Sequence, residues 1–155
     1  MTSVAPDLRR TWLFGPGADA QAHDAMQGSG ADALIVDLED FTPAARRDEA
    51  RRGLAGLLQR WREAGRVTAV RINALDADGP LDLAAAMPAK PDVVAYPMAA
   101  SAAQMHALHA ALELRNTREA ALAACRDALA GAAGELKQIE ELRLRTEHES
   151  APVRN

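Results

Sequence analysis

Cysteine, aromatic residues, long apolar runs and an excess of one charge are all scarce in this sequence. Its single cysteine, Cys125, rules out an internal disulfide framework and a cysteine-built zinc site. Aromatics make up 3% of the 155 residues, too few for base-stacking platforms. The net charge is −4, and the basic pairs Arg9-Arg10, Arg46-Arg47 and Arg51-Arg52 are interleaved with acids. That pattern excludes the one-sided basic face of a nucleic-acid binder. No run is apolar enough to span a bilayer and the first residues lack a signal-peptide core, so a cytoplasmic protein without a membrane partner is expected. The length suits one domain with a real core.

What is present is a set of short apolar runs separated by helical segments. The runs are residues 11–14, 33–38, 67–73 and 92–97. Between the second and third lies a clear helix. Thr42 is placed to cap it, Pro43 suits its first turn, and Leu54, Leu57, Leu58 and Trp61 recur at helical spacing before Gly65 stops it. Weaker helices are expected over 20–27 and 81–87. This alternation implies right-handed βαβ units and a parallel sheet.

The most informative run is Ala33-Leu34-Ile35-Val36-Asp37-Leu38-Glu39-Asp40. It reads as a strand buried on both faces that ends in three carboxylates. Alternation along a strand puts Asp37 and Glu39 on one face and Asp40 on the other. Acids at the carboxyl end of such a strand stand where α/β folds carry their chemistry.

From about residue 102 the composition changes to Ala, Leu, Glu and Arg with no strand-like run. Leu122, Cys125, Leu129, Ala132, Leu136 and Ile139 keep three- and four-residue steps, the spacing of a coiled-coil seam. Packing against the sheet and packing against a partner helix explain this stripe equally well. Residues 150–155 are expected to fray.

Read in order, the segments resemble the HpcH/HpaI aldolase and citrate lyase β-subunit family. The resemblance rests on Arg10-Thr11-Trp12-Leu13-Phe14-Gly15-Pro16-Gly17, on Asp37-Leu38-Glu39-Asp40, on Val70-Arg71-Ile72-Asn73 and on Pro91-Asp92 through Tyr96-Pro97. It covers roughly residues 9–112. It implies part of a TIM (β/α) barrel, about four parallel βα units over 1–112, followed by a helical tail of unclear origin over 113–155. It also implies a carbon–carbon lyase in which Mg²⁺ assists cleavage or formation of a bond in a CoA thioester or a 2-oxo or hydroxy acid.

By the same resemblance Arg71 binds substrate, and Asp37 and Glu39 organise the metal end of the pocket. Asp40 stands where one branch of the family carries a histidine, which favours the citrate-lyase-like branch. Asn73 either contacts substrate or caps its strand. Gly15 and Gly17 let backbone approach a ligand or merely form a tight turn, and Pro97 at the end of the fourth strand is a further substrate-binding candidate. Arg71 paired with Asp37 or Glu39 is equally a plain salt bridge. His23, His106, His109 and His148 read as surface or packing residues.

Two features depart from the family. Met98 and Ala100 replace the usual lysine and glutamate after the fourth strand. No fifth or sixth strand follows to bring the carboxylates that bind the metal directly, so no direct metal ligand is assigned. A (β/α)₈ barrel needs about 250 residues, and half of one leaves strand edges unpaired, so a homo-oligomer is expected. The competing reading is a non-catalytic half-barrel scaffold that oligomerises or binds a partner through its tail. A doubly wound sheet holding a phosphorylated ligand at Gly15-Pro16-Gly17 ranks last, for want of the dinucleotide glycine spacing.

Overall fold

A computed structural model describes residues 5–149, apart from the side chains of Glu119 and of 144–149. The tail end expected to fray and the His148 imidazole fall outside the described residues. Four strands alternate with helices: β1 (Trp12–Pro16), α1 (Ala20–Gly28), β2 (Ala33–Asp37), α2 (Arg47–Glu63), β3 (Val67–Arg71), α3 (Gly79–Ala86), β4 (Val93–Ala95) and α4 (Ala102–Glu149). All neighbours pair in parallel in the order β1-β2-β3-β4, with Pro16, Asp37 and Arg71 in register at the carboxyl end. The expected parallel α/β arrangement is therefore present, and the four strands do not close a barrel.

Alternation along the strands sorts the sheet into two faces. Leu34, Val36 and Val70 join Met26 of α1, Leu54, Leu58 and Trp61 of α2, Leu83 of α3 and Leu108 of α4 in one core. Ala50, the three leucines and Trp61 of α2 are all buried, Trp61 wholly so. Burying such side chains stabilises by about 1.5–3 kcal/mol each relative to exposure. The opposite face carries Trp12, Phe14, Ile35, Ala69, Val93 and Ala95, none of which belongs to the helix-packed core.

A shared device ties the strands at their amino ends. Asp32, just before β2, accepts hydrogen bonds from the Thr11 amide and hydroxyl, each 2.9 Å. Asp92, just before β4, does the same with Thr68, each 2.8 Å. One carboxylate thereby fixes register between neighbouring strands twice over.

Several boundaries differ from the sequence expectation. β1 runs on through Gly15 and Pro16, while β3 and β4 stop short of Asn73 and Pro97. Thr42 does not cap α2, which begins at Arg47 after a single 3₁₀ turn over Ala44–Arg46. Its hydroxyl instead donates to the Asp37 carbonyl and accepts from the Gly17 amide at 2.7 Å, tying two strand ends together. Gly65 ends α2 as expected, with φ of 77°.

The chain packs as two units, divided between Arg115 and Asn116. In the second unit Leu122, Leu129, Leu136 and Ile139 are all exposed. No helix among the described residues is long and apolar enough to cross a membrane.

Candidate active site

The carboxyl ends of β2 and β3 meet in one charged cluster. β2 ends at Asp37, so the chain turns before Glu39 and Asp40 and does not continue the strand alternation. Asp40 therefore joins Asp37 and Glu39, and the expected placement on opposite faces does not hold. The Arg71 Nε donates to Asp37 Oδ1 at 2.9 Å, and its Nη2 donates to Asp37 Oδ2. Nη1 lies 3.1 Å from Glu39 Oε2, and Nη2 lies 3.0 Å from Asp40 Oδ2.

Asp37 is fully buried and also accepts from the Glu39 amide at 2.9 Å and the Phe41 amide at 3.2 Å. A carboxylate so enclosed by donors is fixed in position. The bond to Asp37, with the charges of Glu39 and Asp40, raises the Arg71 guanidinium above its ordinary value even though burial opposes the rise. Asp40 is the loosest member, its side chain 64% exposed against 16% for Glu39.

Two aromatic rings complete the arrangement. The Arg71 guanidinium carbon lies 5.2 Å from the Phe14 centroid and 5.9 Å from that of Phe41, within cation–π range. The rings stand edge to face at 6.5 Å. Sequence reasoning missed both. Part of the signal was available: the chain has only two phenylalanines, and Phe41 directly follows Asp40.

The remaining sequence-picked residues do other work. Asn73 is buried, its amide side chain donating to the Leu38 carbonyl and to Asp82, each near 2.9 Å. These bonds fit the strand-end role. A Cβ on Gly15 would meet Met26 Sδ at 2.1 Å, and one on Gly17 would meet Ala50 and Leu38 at under 3 Å. Gly15 thus admits Met26 of α1, and Gly17 admits Ala50 of α2 together with Leu38. Pro97 is buried beyond β4. His23 packs edge-on to Trp61 and donates from Nε2 to the Pro16 carbonyl at 2.7 Å; His106 and His109 are exposed.

Among the described residues no group of three His, Cys, Asp or Glu side chains is placed to hold a metal ion. Asp37, Glu39 and Asp40 all turn oxygens to the same Arg71 guanidinium. These residues do not fit Mg²⁺ as direct ligands.

The sequence profile of the HpcH/HpaI aldolase/citrate lyase family matches residues 10–151. The chain belongs to that family. The match runs past residue 112, where the sequence resemblance was placed. Among relatives of this member, the (3S)-malyl-CoA thioesterase of Cereibacter sphaeroides is 36% identical over 102 residues, 65% of this chain and 36% of the thioesterase. The citrate lyase β subunit of M. tuberculosis, solved with oxaloacetate and magnesium, superposes with a TM-score of 0.50 at 32% identity, covering 66% of this chain and 45% of that one. A segment of 48 residues, 31% of the chain, is 73% identical to the chromosome partition protein Smc of Thauera aminoaromatica, covering 4% of that protein. The chain thus spans well under two thirds of each of these proteins.

Proposed function

We propose that this chain provides the substrate-anchoring part of a carbon–carbon lyase of the citrate lyase β type. Its substrate class is a 2-oxo or hydroxy acid or a CoA thioester. The observation that supports this most is Arg71, held at the end of β3 by Asp37 and Glu39 and flanked by Phe14 and Phe41.

A planar guanidinium can grip a carboxylate or an enolate at two points, and it stabilises oxyanion charge that develops as a carbon–carbon bond breaks. Asp37 and Glu39 set its orientation, and the two rings keep it from swinging. Every nitrogen of the fork already faces a carboxylate, so an arriving acid displaces one of them. Asp40, the most exposed, is the one displaced. Since the described residues offer no direct set for Mg²⁺, the chain is assigned binding and orientation and not the metal chemistry.

The deciding experiment is calorimetric titration of oxaloacetate into the wild-type chain and into Arg71→Lys. Binding should weaken by roughly tenfold or more in the variant, the cost of losing charge-assisted bonds. Equal binding by both, or none by the wild type, defeats the reading. A second reading is favoured by the exposed stripe of Leu122, Leu129, Leu136 and Ile139. In it the half-barrel is a scaffold and the stripe receives a partner helix. An oligomer that Leu129→Asp dissolves, with oxaloacetate inert, would support it.

A further inference from the structure

Leu38 stands in the chain between Asp37 and Glu39, and its backbone is held on both sides by the end of β3. Its amide donates to the Arg71 carbonyl at 3.0 Å, and its carbonyl accepts from the Asn73 side chain at 2.9 Å. These two bonds set where the carboxylates on either side of Leu38 point.

Asn73 is itself held by Asp82 of α3. The Asp82 Oδ2 accepts from the Asn73 backbone amide and from its Nδ2, each at 2.8 Å. Nδ2 carries two hydrogens, and Asp82 and Leu38 take one each, so the amide has one orientation open to it. Asp82 is fully buried, and its Oδ1 accepts from the Arg51 Nε of α2 at 2.8 Å. Arg51 goes on to Asp78 at 2.8 Å, Asp78 meets Arg47 at 3.4 Å, and Arg47 donates to the Glu39 carbonyl at 3.4 Å. The polar contacts return to the turn from which they started.

A buried ion pair is a poor way to gain stability, because desolvation offsets its attraction and packed apolar side chains often serve as well. What a buried carboxylate supplies is direction, since its charge-assisted bonds fix the groups that make them. We propose, taking Arg71 as the substrate anchor, that Asp82 is a positioning residue for it, acting through Asn73, with Arg51 as fixed counter-charge. Asp82 holds the Asn73 amide in the orientation that fixes Leu38, and Leu38 keeps Asp37 and Glu39 aimed at the Arg71 fork. The anchor is therefore built by α2 and α3 as well as by two strand ends. Asp82→Asn keeps the volume but sets an NH2 group against a donor of Arg51 or of Asn73, whichever way it is turned.

The test reads the Arg71 Nε–H by nitrogen-15 NMR hydrogen exchange and needs no ligand. Each chain is compared in the urea concentration that gives it the same unfolding free energy. Asp82→Asn should speed the exchange roughly tenfold or more, and Asn73→Ala, which leaves the Asp82–Arg51 pair intact, should act alike. Leu57→Ala, which removes a buried side chain of α2 from the core, should stay within about twofold of the wild type. Unchanged exchange in Asp82→Asn or in Asn73→Ala overturns the inference. So does equal acceleration by Leu57→Ala, which marks a role in stability alone. In calorimetry Asp82→Asn should also weaken oxaloacetate about fivefold, with Leu57→Ala neutral. A wild type that binds no oxaloacetate defeats the anchor reading and leaves the exchange result standing, so the two failures are distinguishable.

Discussion

Leucines in the sheet unit and leucines along α4 are the same residue in opposite circumstances. Leu34, Leu38, Leu54 and Leu58 are at most 1% exposed, whereas Leu122, Leu129 and Leu136 are 54%, 71% and 67% exposed. In the first unit, the period-2 pattern of the strands meets the helical stripe of α2, and each supplies the other's cover. Along α4 a seam of equal regularity has no cover from within its own unit. Periodicity states that a face wants burial; it does not state what buries it.

The sharpest way to test this contrast is to cut into each side of it. Trp61→Ala removes the largest buried side chain of α2 and should cost about 3–5 kcal/mol, read as a large drop in the urea midpoint by circular dichroism. Next comes the ion network under the same helix. Burial alone would lower the Arg51 guanidinium, but its bonds to Asp78 and the fully buried Asp82, each 2.8 Å, outweigh that and raise it. Arg51→Met strands the Asp82 charge and should cost about 3 kcal/mol in the same urea experiment. Smallest is Leu129→Ala, which exchanges one good helix former for another at an exposed site and should stay within about 0.5 kcal/mol of the wild type. A loss at Leu129 as large as that at Trp61 would mean the seam is covered in solution, and the contrast would fall.

Much of the sheet unit was legible because its signals are local. The strand 33–38 ends in acids, α2 has an unbroken apolar stripe, and Gly65 supplies the left-handed stop. The pairing of Arg71 with Asp37 and Glu39 followed from strand ends that lie side by side in a parallel sheet. What escaped was long-range. Thr42 before Pro43 has the look of a helix cap, and only the packing of β1 against β2 turns its hydroxyl toward Gly17 and Asp37. Asp40 was placed on the wrong face because the end of a strand depends on its neighbour's length. Phe14 and Phe41, 27 positions apart in sequence, meet around a guanidinium contributed by a third segment.

The bridge made by Thr42 has a consequence for how this sequence can change. Its hydroxyl holds the Gly17 amide and the Asp37 carbonyl, and the space beside Gly17 is filled by Leu38 and Ala50. Four positions, just after β1, just after β2, in the following loop and in α2, therefore share one volume. A larger residue at 17 is admissible only with a smaller one at 38 or 50, and a residue without a hydroxyl at 42 strands two backbone groups at once. Exchanges here are epistatic: their acceptability depends on the state of the other three, so this corner of the molecule evolves in concert or hardly at all.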